Sequence, residues 1–167
     1  MVPPLRSDET RRELLAATAS GLPTVVASDH APHSLEEKKQ PLGKCLPGIP
    51  GLETTLPLML TLVNRGVLSL SLMVRLLAEN PAKVFGLSSK GKLQTGFDGD
   101  LVLVDLKRKS RIDSSKFHSK AKFSPFDRFQ TRGSVSSTIV GGRLILHEGE
   151  IVAREGSGTV LRGNASG

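Results

Sequence analysis

Asp29, His30 and His33 stand in the run Asp29-His30-Ala31-Pro32-His33, the one dense cluster of catalytic residue types in the chain. A carboxylate and imidazoles at this spacing can relay protons or donate to a metal. A zinc centre needs three or four ligands converging on one point. The cluster offers at most three, and neighbouring Asp and His on an extended strand point to opposite faces. The residues alone leave three readings open: a self-contained metal site, a single Asp or His serving a larger site, or a solvated strand end. His118 and His147 have no ligand-spaced neighbour. Cys45 lies in a loop and would need an imidazole within hydrogen-bond reach to act as a nucleophile; it reads as an inert thiol.

The elements around the cluster decide where it sits. Ser7-Asp8-Glu9-Thr10 opens a helix with a capping hydroxyl and two acids at the positive end of the dipole; Leu14, Leu15 and Ala17 give it an apolar side, and Gly21 stops it. Pro23 to Ser28 is a short β-branched run that predicts a buried strand ending in the cluster. In α/β folds ligands bind at such C-terminal strand tips, which favours the second reading. Ser34 to Gly51 reads as a long loop, and the amides of Pro47-Gly48-Ile49-Pro50-Gly51 are available to a ligand. Leu52 to Asn64 has helical spacing, with Pro57 tolerable only near its start. Ser69 or Ser71 caps the next helix, and Asn80-Pro81 restarts a short one, with Asn80 as its cap and Gly86 as its end. After Gly86 the period becomes that of strands. Gly96 to Asp100 is a turn, Leu101 to Val104 a strand segment buried on both faces, and Gly141-Gly142 a two-residue hairpin between Ser137–Val140 and Arg143–Leu146. His147 to Glu150 turns into Ile151-Val152.

The division that follows is α/β: residues 1–88 helical with one strand, 89–155 a small all-β part, and 156–167 a flexible tail. The chain has 167 residues, 38% of them hydrophobic, which suits one globular domain or a piece of a larger one. No apolar run is long enough for a membrane span, and no signal peptide opens the chain. One Cys excludes an internal disulfide scaffold and makes a reducing, cytoplasmic setting the default. Lys and Arg number 23 against 16 acids, a net charge of +7. The basic stretches Lys83–Lys92 and Lys107–Lys122 lack a helical stripe with interleaved aromatics, so they read as solvated loop surface and not as a nucleic-acid interface.

Several segments together resemble dihydroorotases. They are Val2-Pro3-Pro4-Leu5-Arg6, Ser28 to His33, Pro47 to Thr54, Glu79-Asn80-Pro81-Ala82, Phe85-Gly86-Leu87, Lys90-Gly91, Gly96 to Val102 and Ser119 to Phe126, all in the family's order. The resemblance runs from Val2 to about Ile151. Dihydropyrimidinases and allantoinases share the Asp-His but usually not the Ala-Pro-His. The resemblance implies a zinc-dependent (β/α)8 amidohydrolase barrel followed by a small β domain, interconverting dihydroorotate and N-carbamoyl-aspartate in pyrimidine biosynthesis. By match, Asp29 binds metal and shuttles the proton from the attacking hydroxide to the leaving nitrogen. His33 matches the group that holds the substrate carboxylate, and Pro47 and Gly48 the loop backbone against the ring.

Two departures accompany it. Val2 stands where the family has a substrate-binding Asn. The His-x-His, the bridging Lys and barrel strands one to seven have no counterpart, so the chain resembles the final two-fifths of a dihydroorotase and is expected to be inactive alone. The alternative implied by the family is a non-catalytic subunit partnering aspartate carbamoyltransferase or another dihydroorotase chain, including a homo-oligomer.

Overall fold

The computed structural model describes residues 2–162. Helix α1 (Asp8–Ala19) starts where the Ser7 hydroxyl accepts from the Thr10 N–H, with Asp8 and Glu9 in its first turn. None of its residues is fully buried: of the apolar side expected at Leu14, Leu15 and Ala17, Leu15 and Ala17 are half-buried and Leu14 is exposed. The main core is built by helices further along the chain. Helix α2 (Leu35–Lys38) is a single turn inside the 34–51 loop. Helix α3 (Leu52–Asn64) passes through Pro57 beyond its first turn, where the missing N–H forfeits one bond to the carbonyl four residues back.

Ser69 caps α4 (Leu70–Val74) by accepting from the Leu72 N–H. The expected restart at Asn80 does not occur. A π-helical turn, Arg75–Glu79, joins α4 to α5 (Asn80–Val84) without a break. The widened turn lies directly before Pro81, which has no N–H to continue the α ladder. Asn80 is therefore not a cap, and its Nδ2 donates to the Thr24 carbonyl at 2.7 Å. Met59, Leu60, Leu68, Leu72, Met73 and Leu76 form the core, with Val26, Leu56 and Val104 packed against it.

Pro23–Ser28 bends at Pro23 and Thr24 and joins no ladder. A strand needs a neighbour, and among the described residues the one pairing here is a parallel bridge between His30 and Ile49. The segment's polar groups go to the helices instead: the Val26 N–H donates to the Leu76 carbonyl at 3.1 Å. Val25 and Val26 are half-buried, less than the expectation of a buried strand required.

The second half is an antiparallel meander in the order β1 (Leu101–Arg111), β2 (Gln130–Val140), β3 (Arg143–His147), β4 (Glu150–Ile151). Gly141-Gly142 makes the expected hairpin, and Glu148-Gly149 the next turn. Leu101 to Val104 is not buried on both faces: Val102 is 51% and Leu103 47% exposed. β1 is an edge strand, and only Val104 reaches the helical core. β1 also continues to Arg111, which places Lys107–Arg111 on a strand and not in a loop. β2 docks on α3. The Thr61 hydroxyl accepts from the Arg132 N–H at 3.0 Å, and Asn64 donates to the Arg132 carbonyl at 3.1 Å. Of the tail expected at 156–167, residues 163–167 lie outside the described residues.

Lys90 ties the link between the two halves, its Nζ 2.8 Å from Asp98 and 2.5 Å from Asp100. Its hydrogen bonds hold both carboxyls below their ordinary value of 3.8, helped by Ser89 at Asp98 and by the Gly141 N–H at Asp100. Carboxyls lowered in the folded state give stability that is present above their unfolded value and lost as pH falls through the folded one. Thermal unfolding followed from about pH 6 to about pH 2 will show this acid loss, and Lys90→Met will flatten it. An unchanged acid slope in Lys90→Met would show that the two carboxylates are held by their other donors.

Candidate active site

The site is built where the segment 23–28 ends. Asp29 takes a left-handed φ of 44° and is exposed. Asp tolerates this region better than most residues because its short polar side chain can solvate the turn. The reversal separates Asp29 from His30. The His30 Nδ1 accepts from the Gly51 N–H at 3.0 Å and the Leu52 N–H at 3.3 Å, the first free donors of α3. Two accepted bonds leave the His30 proton on Nε2 and make this imidazole the helix cap. Sequence reasoning grouped His30 with the chemistry and missed this role. The signal was available: α3 begins at Gly51-Leu52, with no Ser, Thr, Asp or Asn to cap it.

The 34–51 loop is ordered by its own bonds. Ser34 and Glu37 form a reciprocal capping box on α2. The Lys38 ammonium donates to the Leu46 carbonyl at 2.8 Å, and the Cys45 thiol donates to the Lys38 carbonyl at 3.2 Å. Cys45 thus closes the loop and has no imidazole partner among the described residues. At the far end the Ala31 N–H donates to the Ile49 carbonyl at 3.1 Å, which lays Pro47–Gly51 along residues 28–31. Gly48 is buried there with φ of 116°, and a Cβ on it would stand 2.5 Å from the Ala31 Cβ. Pro47 is exposed beside it.

His33 is half-buried, its Nδ1 3.7 Å from Glu37 Oε2. The Glu37 carboxyl is held below its ordinary value first by the Ser34 N–H, with the Ser34 hydroxyl and His33 adding to the effect. At that distance the imidazole is not locked by Glu37 and keeps its capacity to meet an anion. The structure therefore gathers the backbone of Pro47 and Gly48 beside Ala31, between Asp29 and His33 in the chain. Glu53 reaches the β half, its Oε1 accepting from the Ser119 N–H at 3.2 Å, so two of the motif segments meet through one bond.

Residues 3–145 match the Amidohydrolase family. The chain belongs to the amidohydrolase family. A dihydroorotase of Methanothermobacter thermautotrophicus is 44% identical over 161 residues, covering 95% of this chain and 36% of that protein. Among solved structures, the L-hydantoinase of Arthrobacter aurescens superposes with a TM-score of 0.87 at 40% identity, over 90% of this chain and 35% of that one. The D-hydantoinase of Thermus sp. gives 0.93 at 32% identity, over 98% and 37%. The chain thus spans a little over a third of the length of these relatives.

For an amidohydrolase-family chain the metal question is one of donors. Among the described residues no three His, Cys, Asp or Glu side chains are grouped to hold an ion. His30 has its Nδ1 committed to α3, which leaves Asp29 and the half-buried His33 of the cluster, fewer than the three ligands an ion needs. The described residues do not fit a zinc centre by themselves. No helix among them is long and apolar enough to cross a membrane.

Proposed function

We propose that this chain carries the proton-transfer and substrate-binding portion of a cyclic amidohydrolase acting on dihydroorotate and N-carbamoyl-aspartate, the ring-closing pair of pyrimidine biosynthesis. The observation that carries it is the exposed Asp29 carboxylate, which takes part in no hydrogen bond or ion pair among the described residues, at the end of the 23–28 segment of an amidohydrolase-family chain and beside the ordered Pro47–Gly51 loop. In ring opening, water adds to the ring amide carbonyl, the C–N bond breaks, and Asp29 takes the water's proton and returns it to the leaving nitrogen. The charge of the carboxylate is restored at the end of the cycle. His33 meets the carboxylate of dihydroorotate, a group that unsubstituted hydantoin lacks, and the Pro47 and Gly48 backbone faces the ring. The zinc of the dihydroorotase resemblance finds one donor here, Asp29.

The reading takes residues 1–88 as part of a (β/α)8 barrel and 89–155 as the accompanying small β domain. The segment 23–28, which has no ladder partner among the described residues, supports the first: apart from the Val26 N–H and the Thr24 carbonyl, which the helices satisfy, its backbone groups suit strand neighbours. The test joins this chain to the preceding barrel segment of the Methanothermobacter dihydroorotase and assays dihydroorotate against hydantoin. Dihydroorotate is expected to be opened, with His33→Ala raising KM for it about tenfold or more while sparing hydantoin. Equal use of both rings, unaffected by His33→Ala, would sink the substrate assignment.

A second reading is favoured by one observation, the apolar edge strand: Val102 and Leu103 are about half exposed on a β1 with one free side. It makes the chain a non-catalytic subunit docking on a carbamoyltransferase or on another chain of its kind. Comigration of this chain with a carbamoyltransferase, and no activity in the joined protein, would favour it.

A further inference from the structure

A groove of about 560 Å³ opens between the end of α3 and the β1–β2 ladder, away from Asp29. Four cations line it, Arg65, Lys109, Arg111 and Arg132, and no acid does. Lys109 stands directly opposite Arg132 across the ladder, and Arg111 opposite Gln130, so the three strand cations share one face. Like charges facing each other across a ladder oppose folding. The nearby acids are engaged elsewhere: Asp105 accepts from the Lys107 and Arg108 N–H groups, Glu148 pairs with Arg108, and Asp127 accepts from Ser114. The negative end of α3 supplies about half a charge, which matches one of the four cations at most. Arg65 lies 5.9 Å from the centre of the Phe129 ring, which steadies its guanidinium and occupies that ring.

We propose that this groove binds a small anion carrying two linked phosphate groups, free or as part of a nucleotide. One phosphate bears about −1.5 to −2 charge near neutral pH, so two match four cations where one leaves half of them bare. Arginine's planar fork meets phosphate oxygens two at a time, and three of the four cations are Arg. Volume favours a small ligand, since about 300–1,000 Å³ is usual for one. With Phe129 covered by Arg65, no ring in the groove is free to stack the bases of a single strand. The site is independent of the amidohydrolase chemistry at Asp29.

The experiment titrates the full chain with inorganic pyrophosphate, orthophosphate, ADP, a short oligonucleotide and a polyglutamate peptide at constant ionic strength by calorimetry. Pyrophosphate is expected to bind about tenfold or more tighter than orthophosphate. Arg111→Gln with Arg132→Gln is expected to weaken it at least about tenfold, while Arg11→Gln with Arg12→Gln removes the same charge from α1 with little effect. The backbone bonds of Arg132 to Thr61 and Asn64 survive the substitution; should the double variant lose its fold by circular dichroism, Arg65→Gln alone carries the same comparison. ADP binding as tightly as pyrophosphate upholds the site with a nucleotide as its source, and weaker ADP upholds it with the free anion. Equal binding of orthophosphate, equal loss in the α1 variant, or tighter groove-dependent binding of an oligonucleotide or a polyglutamate peptide would each overturn the proposal.

Discussion

Asp29→Asn in the joined hydrolase lowers kcat by about 10²–10⁴-fold, the usual worth of a positioned acid–base group, and leaves the thermal midpoint of unfolding where it was. The two halves of this expectation come from the same geometry. The Asp29 side chain is exposed and takes part in no hydrogen bond among the described residues, so removing its charge removes no structural partner. Its φ of 44° is the reason for choosing Asn. Asn occupies the left-handed region as readily as Asp, whereas Ala there adds about 1–2 kcal/mol of backbone strain and confuses a chemical loss with a conformational one. The comparison of Asn with Ala therefore separates proton transfer from loop shape. If Asp29→Asn keeps kcat within a few-fold of the parent, the proton travels by another group and the assignment to Asp29 is wrong. A fall in kcat matched by a fall in thermal midpoint would make Asp29 a structural residue instead.

The sequence made the local elements legible where the signal was local. Ser7 caps the helix it was expected to cap, Ser69 is the one of the two candidates Ser69 and Ser71 that caps the next, and the Gly141-Gly142 spacing set the hairpin, because each depends on residues within a few positions. What it left open depended on distant partners. Asn80 looked like a cap because Asn before Pro usually is one, but its amide is drawn to Thr24 across the core. Pro23–Ser28 had the composition of a buried strand, and composition cannot supply the neighbouring strand that a ladder requires. The same holds for Leu101 to Val104, whose apolar run specifies a wish for burial and not the surface that grants it.

The site divides in the same way. The position of Asp29 at the end of the 23–28 segment was readable from the run of residues before it, but its separation from His30 comes from the left-handed turn at Asp29 and not from strand alternation. Where His30 went was readable only by setting it against the bare start of α3 at Gly51 on the far side of the loop, a pairing of residues about twenty positions apart. The basic groove was invisible for a further reason. Counting charge by stretches joined Lys109 to its neighbours along β1, while its true neighbours are Arg132 across the ladder and Arg65 at the end of α3. Strand pairing changes which charges meet, and that changes a dispersed basic surface into a concentrated one.

Gly48→Ala is expected to detach the 47–51 loop from residues 28–31, and it is the backbone substitution with the largest effect near the site. Two costs add at this residue. Its φ of 116° is one that side chains avoid, and a Cβ would lie 2.5 Å from the Ala31 Cβ and 2.6 Å from the Ala31 carbonyl oxygen. Strain of about 1–2 kcal/mol and overpacking of about 1–3 kcal/mol sum to about 2–5 kcal/mol, more than one backbone bond in the loop can withstand. Gly43→Ala is the matched control: its φ is 93° but nothing lies within 4 Å of its Cβ, so it carries the strain without the clash. Amide exchange at Ala31, whose N–H is held by the Ile49 carbonyl, reads the detachment directly. Exchange there should accelerate strongly in Gly48→Ala and hardly at all in Gly43→Ala, and in the joined hydrolase only the first should raise KM for dihydroorotate. Equal protection of Ala31 in the two variants would mean that the loop yields around the new methyl group, and the backbone of Pro47 and Gly48 would then be too soft to position a ring.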